Sequence, residues 1–378
     1  MEALFAVCLL LLIYVYAGYP VLTYVLSRLR PRTITSNADH RPTVTVLIAA
    51  FNEAAHIEQT VRNKLEQDYP EDLLDVIVVS DESEDGTDEI VRSIDDPRVR
   101  LVRQEPRAGK TSGLNLIAPE ATGEVIVFSD ANSIYSPDTL ARLVAPLADP
   151  EVGYVTGRML YRAPDGSPTG EGCSAYMRYE NQLRAWETDL GSIVGVDGGV
   201  DAMRRDIWEP MRADQLPDFV EPLTVREKGY RVVYEPSARL YEDTLADTHD
   251  EFRMRVRVTL RAYWALKDKA ALLNPLRFGT FAWQLWSHKL LRYLAPFFQL
   301  GVLVANVMLL DQGAAWSLLL GLQGLFYAMA GTAHAMRSRS LPSFMSAAYY
   351  LCVVNLASSM AFCQFVAGKK QVTWTPRT

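Results

Sequence analysis

The sequence predicts an α/β domain, a mixed and mostly parallel sheet with crossover helices, flanked by transmembrane and interfacial helices. Three observations lead there. From Thr43 to about residue 130, short β-branched runs alternate with helix-like stretches. Ahead of them, Ala3 to Leu26 carries no charge. Towards the end, from Leu294 to Val366, the charges are Asp311, Arg337 and Arg339. With 378 residues, 49% of them apolar, and a mean hydropathy near zero, the chain is longer than one ordinary soluble domain and more hydrophobic than most soluble enzymes.

The first apolar run is long enough to span, since roughly 20 helical residues cross the hydrocarbon core. A cleaved secretory leader has a shorter apolar core behind a positive charge. Here Met1-Glu2 leads, and Arg28, Arg30 and Arg32 follow. Residues 1–30 therefore read as an uncleaved anchor, and the arginines place the next domain, residues 40–266, in the cytoplasm.

Within that domain, Val44–Ala50 reads as a buried strand, Glu53–Gln67 as a helix and Leu74–Ser80 as the next strand. Thr87–Ile94 is a short helix, Val99–Arg103 a third strand, Lys110–Ala118 a helix and Gly123–Ser129 a fourth strand. Further on, Met203–Met211 is helix-like, an amphipathic helix runs through Lys228 to Gly229, and Asp250–Lys267 is a helix.

Residues 267–293 read as interfacial. The stretch Phe281–Tyr293 carries Trp283, Trp286, His288, Lys289 and Arg292, a mix suited to headgroups, with His288 structural rather than catalytic. In the C-terminal membrane segment, residues 294–368, Leu294–Leu310, Ala314–His334 and Phe344–Val366 are three candidate spans. Four spans put the C-terminus outside, whereas Lys369, Lys370 and Arg377 in the tail, residues 369–378, argue for inside. Topology at that end stays open.

Cys8, Cys173, Cys352 and Cys363 share no metal-ligand spacing and read as packing residues. The net charge of −7 gives no support for nucleic-acid binding, which favours a basic domain.

In an open parallel sheet, ligands bind at the carboxyl ends of the strands. Strand one ends in Phe51-Asn52-Glu53, strand two in Asp81 and strand four in Asp130-Ala131-Asn132. The last tripeptide suits a divalent cation, Mg²⁺ or Mn²⁺, held against a diphosphate by hard oxygens; the alternative is a helix N-cap. Asp81 suits a base or ribose, while Glu84, Asp88 and Glu89 beyond it read as a solvated, capping loop. Arg107-Ala108-Gly109-Lys110-Thr111 lacks the first glycine of a P-loop, because position 104 is Gln. Lys110 at a helix start still suits a phosphate or base, against the plain reading of a surface lysine.

Gly195-Val-Asp197-Gly-Gly199-Val-Asp201 permits close approach to a ligand. Asp218, after Pro217 and before a helix, is either a cap or a general base for an acceptor hydroxyl. Arg253, Arg255, Arg257 and Arg261 share one helix. Arginine pairs with two oxygens of a diphosphate, or such a helix meets anionic lipid; Arg261 is the one assigned to substrate.

The ordered set VTVLIAAFNE, VIVVSDESEDGT, RAGKTSGLN, GEVIVFSDAN and GYRVVYEP, from about Thr43 to Leu266, resembles the family-two inverting glycosyltransferases of GT-A fold. The likeness is to the membrane-integrated branch that includes cellulose, chitin and hyaluronan synthases. The resemblance implies a GT-A sheet and transfer from a nucleotide diphosphate sugar, a UDP-linked hexose or N-acetylhexosamine, to a lipid or glycan acceptor. It implies a bacterial-type inner-membrane location, membrane-lipid contacts and partners in a synthase complex.

Residue by residue, the resemblance implies that Asn52, Glu53 and Asp81 hold the nucleoside and that Lys110 contacts base or phosphate. Asp130 and Asn132 take the first and last places of the D-x-D metal motif, and Asp218 that of the catalytic base. The sequence departs from the pattern at Asn132, at Glu82 where glycine is usual, and at Pro217 where many relatives have an acid. Val258 and Ala262 flank Arg261 where a processive synthase has Gln and Trp, which puts processivity in doubt. The competing readings are a catalytically silent scaffold of a synthesis complex and a transporter subunit; spans this poor in ionisable residues argue against the second.

Overall fold

The computed structural model describes residues 1–162, 171–243, 248–336 and 342–372. Arg337, Arg339, Arg377 and the side chain of Cys173 lie outside the described residues. In chain order the helices and strands are α1 Glu2–Ile13, α2 Tyr19–Leu29, β1 Val44–Ala50, α3 Ile57–Leu65, β2 Leu74–Asp81, α4 Thr87–Arg92 and β3 Val99–Gln104. There follow α5 Lys110–Ile117, β4 Val125–Asp130, β5 Ile134–Tyr135, α6 Thr139–Val144, β6 Val152–Arg162, α7 Glu171–Leu190 and β7 Asp201–Arg204. The chain continues with α8 Pro217–Glu227, β8 Arg231–Asp243, α9 Thr248–Asp268, α10 Pro275–Gln284, α11 Leu291–Met308, α12 Ala314–Ala335 and α13 Ser343–Val366.

The strands form one mixed sheet in the order β3-β2-β1-β4-β7-β6-β8-β5. β1, β2, β3 and β4 are parallel, and β7 runs antiparallel to both β4 and β6. Every residue of β1, VTVLIAA, is buried, as expected of a strand covered on both faces. Successive side chains alternate between faces. Val46, Ile48 and Ala50 pack with Ile57 and Val61 of α3 and Leu140 and Leu143 of α6, while Leu47 and Ala49 pack with Leu114 and Ile117 of α5. Each such branched side chain contributes about 1.5–3 kcal/mol on full burial, so the two layers hold the carboxyl ends of the strands rigidly. Strand order reverses at β1, which lies between β2 and β4, and the ends of those three strands border one crevice.

Two helix expectations are corrected. Met203–Met211 is not a helix: β7 runs through Arg204 and a 3₁₀ turn covers Arg205–Ile207. Met203 and Ala202 are paired on both sides, with Ile126 and Val127 of β4 and with Tyr154 and Val155 of β6, and this pairing overrides local propensity. The first helix starts at Ile57 instead of Glu53, because the backbone from Asn52 to Ala54 is hydrogen-bonded to side chains of the next loop.

Four helical segments are long and apolar enough to cross a membrane: Glu2–Leu29, Pro275–Met308, Ala314–Ala335 and Phe344–Val366. The stretch expected to be an interfacial helix is continuous with the second of them through a π-helical turn, Leu285–Leu290. A second π turn, Tyr14–Gly18, joins α1 to α2. The two turns meet: Tyr14 Oη lies 2.7 Å from Ser287 Oγ and accepts from Trp283 Nε1 at 2.8 Å.

Beside them His288 is buried between Glu187 (Nδ1, 2.7 Å) and Glu180 (Nε2, 3.0 Å) of α7, and Tyr19 donates to Glu187. His288 thus ties the first and second of these apolar segments to α7 of the sheet domain, a structural task. Cys8, Cys352 and Cys363 are free thiols.

Candidate active site

The loops after β1 and β2 are woven together. Asn52 Oδ1 accepts from the Glu84 amide (2.9 Å), and the Asn52 amide donates to Ser83 Oγ (3.0 Å). The Glu53 amide donates to Thr87 Oγ1 and the Ala54 amide to Asp85 Oδ2, both at 2.9 Å. Asp85 also caps α4 through the Thr87 amide at 3.0 Å. Burial works against its charge, but hydrogen bonds from Thr87 and Ala54 prevail and hold its pKa below the ordinary value.

Asn52 (φ +53°) and Glu82 (φ +60°) are the non-glycine residues with positive φ among the described residues. Both stand at strand ends of the crevice, a costly conformation that clusters at functional sites. Glycine is usual at position 82 in the family that the sequence resembles, and the left-handed backbone supplies the reason.

Asp81 is buried at the end of β2. It accepts from Gln104 and from the amides of Ala108 (2.8 Å) and Gly109 (3.0 Å), with Arg107 Nε at 3.6 Å. Its carboxylate therefore shapes the loop that delivers Lys110. Asp88 is neither solvated nor a cap: it is buried and paired with Arg103 at 2.8 Å and Arg92 at 3.4 Å.

Lys110 opens α5. Its Nζ lies 2.6 Å from Asp130 Oδ1 and 3.6 Å from Asp218 Oδ1. Burial opposes its charge, yet Asp130 and then Asp218 outweigh that and hold its pKa above the ordinary value. Asp130 ends β4 with its side chain a third exposed, and Asn132 stands partly exposed in the turn beyond. Behind that turn the fully buried Lys64 donates to Ser133 O at 2.6 Å.

Asp218 lies in the first turn of α8, where the helix dipole favours an anion. Pro217 occupies the first helical turn, where its missing N–H costs nothing. Burial raises the pKa of Asp218, Lys110 lowers it, Asp130 raises it and Arg261 lowers it; the net direction is up.

Two glycines of the 195–201 segment combine a left-handed backbone with close neighbours. A Cβ on Gly198 (φ +81°) falls 2.7 Å from Asp218 Cγ, and one on Gly199 (φ +75°) falls 3.3 Å from Asp130 Oδ2. Asp197 is not in the cluster, being held by Arg184 of α7.

Arg261, buried on α9, donates to Thr111 Oγ1 at 3.1 Å and to the carbonyls of Gln215 and Asp214. Burial, partly offset by Asp218, pulls its pKa down to about 10. Arg255 reaches Tyr350 of α13 instead, and Arg253 is exposed.

Two acids were not anticipated as site residues. Asp201 and Glu221 are both buried. Among the described residues Oε1 of Glu221 has no hydrogen-bond partner and the carboxyl oxygens of Asp201 have none of good geometry, although the Thr156 and Tyr154 hydroxyls stand close enough to Asp201 to act on its ionisation. Burial first, then the neighbouring acids including Asp218, hold the pKa of Glu221 well above the carboxylate range; burial does the same for Asp201. The signal for Glu221 was its place three residues after Asp218, on the same helix face.

The tail was missed as well. Lys370 pairs with Asp214, Trp264 Nε1 donates to Lys369 O at 2.9 Å, and a Cβ on Gly109 would fall 2.8 Å from Val372 O. Residues 369–372 therefore pass beside the loop held by Asp81.

Residues 45–209 match the family model described as glycosyl transferase family 2. A probable glycosyltransferase of Bacillus subtilis, YdaM, is 29% identical over 64% of this chain and 58% of its own length. The poly-beta-1,6-N-acetyl-D-glucosamine synthase of Staphylococcus aureus is 26% identical over 68% of this chain and 66% of its own. Residues 45–209 are a family 2 glycosyltransferase domain. The chain also matches a beta-monoglucosyldiacylglycerol synthase of Trichormus variabilis, 29% identical over 43% of this chain and 36% of the relative.

The chain spans less than two thirds of the length of these relatives. A solved mannosyltransferase of Pyrobaculum calidifontis, 24% identical, superposes with a TM-score of 0.73 over 97% of this chain and 99% of its own. The GT-A fold expected from the motifs is thereby shown.

Proposed function

We propose that this glycosyltransferase is membrane-embedded and inverting, and that it moves a sugar from a nucleotide diphosphate donor to the hydroxyl of a lipid or glycan acceptor. The observation that carries this reading is Lys110 seated between Asp130 and Asp218 at the carboxyl end of the sheet.

In this reading Asn52, Glu53 and the loop shaped by Asp81 hold the nucleoside. Asp218 accepts the acceptor's proton while the acceptor oxygen bonds to the anomeric carbon and the carbon–diphosphate bond breaks on the opposite side. A raised pKa suits a general base. Lys110 and Arg261 meet the negative charge that builds on the departing nucleoside diphosphate.

The residues present fit a divalent metal. Asp130 offers a partly exposed carboxylate and Asn132 an amide oxygen, hard donors of the kind Mg²⁺ and Mn²⁺ take, with phosphate oxygens and water completing the set. When bound, the metal supplies charge neutralisation at the diphosphate. The Pyrobaculum structure holds GDP-Man and Mn²⁺, so the donor panel extends to GDP-sugars beside UDP-hexoses and UDP-N-acetylhexosamines. The names of the relatives cover both acceptor classes, a diacylglycerol lipid and a glycan. The arginines after the anchor place the domain on the cytoplasmic side.

The test is release of nucleoside diphosphate by the purified chain in nanodiscs, with Mn²⁺ or Mg²⁺, across that panel. Metal-dependent release from one donor, lost in Asp130→Ala and in Asp218→Asn, supports the proposal. Metal-dependent donor binding without turnover, with lipid and glycan acceptors both supplied, favours the silent scaffold.

A further inference from the structure

A polar cavity of about 320 Å³ lies where β6 and β8 begin, away from the carboxyl ends of β1, β2 and β4. Arg32, Arg226, Lys228 and Arg231 line it, with Glu151 the one acid among its lining residues. These residues come from three parts of the chain, so the fold assembles the cluster. Arg231 is a strut, its guanidinium spent on the carbonyls of Arg32, Thr33, Thr188 and Gly191. Arg32 is bound on one side by Glu151 at 2.9 Å, which also stands 3.9 Å from Arg231. Lys228 reaches Glu209 at 2.9 Å and Ile207 O at 2.7 Å.

Arg226 has no ion pair among the described residues. Its Nη1 donates at 3.2 Å to the carbonyls of Gly229 and Tyr230, while its Nε is buried without a partner. Burial first, and then Arg32, pull the pKa of Arg226 below its ordinary value, and the same two causes act on Arg231. Arg32, Arg226, Lys228 and Arg231 outnumber the acids that reach them, Glu151 and Glu209 by ion pairing and Asp149 through space, and Arg226 has none of these as an ion-pair partner, which leaves positive charge for an anion to compensate.

The cavity also lies beside the membrane helices. Arg32 follows the end of α2 at Leu29 by three residues, which reach about 11 Å at most. On the other side, the Arg226 guanidinium sits 5.4 Å from the ring of Phe281 in α10, the leading part of the Pro275–Met308 segment. α10 leaves Leu276 almost fully exposed, as a residue dipping into lipid would be. A cationic cavity bordered by two chain segments that enter the membrane lies at headgroup depth, where anionic lipids attract Lys and Arg.

We infer that the cavity lined by Arg32, Arg226 and Lys228 binds the phosphate of an anionic phospholipid headgroup. The site is distinct from the donor site and is independent of turnover. An occupied site ties the catalytic domain to the membrane surface through the end of α8, the helix that carries Asp218 in its first turn.

The experiment is thermal unfolding of the full chain in detergent, titrated with short-chain phosphatidylglycerol, phosphatidylcholine or inorganic phosphate. The variants are R226Q/K228Q, the charge-keeping R226K/K228R, and R142Q on α6 as a control for lost surface charge. Phosphatidylglycerol, but not phosphatidylcholine, is expected to raise the unfolding temperature of the wild type, R142Q and R226K/K228R. The apparent affinity should fall at least fivefold in R226Q/K228Q. If that variant is already unfolded, K228Q alone carries the test with the same expectation. An equal phosphatidylglycerol response in every variant overturns the site. A full response to millimolar inorganic phosphate, with no added effect of lipid, overturns the lipid source.

Discussion

Gly198 and Asp218 touch across the cleft: at a φ of +81°, a Cβ on Gly198 falls 2.7 Å from Asp218 Cγ and 2.8 Å from Oδ2. A methyl group there displaces the carboxylate, and a left-handed non-glycine residue costs about 1–2 kcal/mol. Gly198→Ala is expected to lower turnover at least tenfold while the chain still folds. Initial rates set beside the unfolding temperature check this.

Lys110 governs the ionisation of Asp218. As a base, Asp218 works ionised, so the rate falls as pH drops through its pKa. Burial raises that pKa and Lys110 lowers it. Lys110→Met is therefore expected to move the acid limb of the kcat/KM profile to higher pH, besides lowering the rate at least about tenfold through the lost cation. Lys110→Arg should return the limb towards the wild-type position. An unmoved limb in Lys110→Met would detach Asp218 from the role of base.

Asp201 and Glu221 make stability depend on pH. Both have folded-state pKa values above their ordinary ones, so the folded state binds more protons than the unfolded state between those limits. Their contribution to stability is fully present below the ordinary carboxylate pKa and is lost as pH rises through the raised values. Glu221→Gln and Asp201→Asn keep the neutral shape. Each is expected to raise the unfolding temperature relative to wild type more at pH 8 than at pH 5, as read by scanning fluorimetry.

Arg261 joins α9 to the first turn of α5 and to the 214–215 loop. Arg261→Ala leaves buried acceptors unpaired, at a cost of about 1–3 kcal/mol. If it also meets the diphosphate, the donor KM should rise several-fold in Arg261→Lys, which keeps the charge but loses the planar fork. A lower unfolding temperature with unchanged KM would make it purely structural.

Much of the sheet was legible because a strand covered on both faces must be a continuous apolar run, and VTVLIAA and VIVFS are such runs. The strand-end residues Asn52, Asp81 and Asp130 were legible for the same reason, since the end of a run is visible in the sequence. β7 was not, because Asp201–Arg204 is a strand only by pairing with β4 and β6. Asp88 looked like a cap because the arginine that buries it, Arg103, lies on the next strand.

What the sequence determined by itself is what local spacing sets: four apolar segments of membrane length, the alternation of strands and helices, and polar residues where the strands stop. The tertiary structure decided which of those residues meet. Lys110 reaches Asp218 only because α5 and α8 converge on the same end of the sheet, and Gly198 lies against that carboxylate only because the chain returns through β7. The same holds for Arg32 beside Arg226 and for Val372 beside Gly109. Helical and strand periods act over a few residues, whereas charge pairing and close backbone approach act through space, between residues that the chain brings together only when folded.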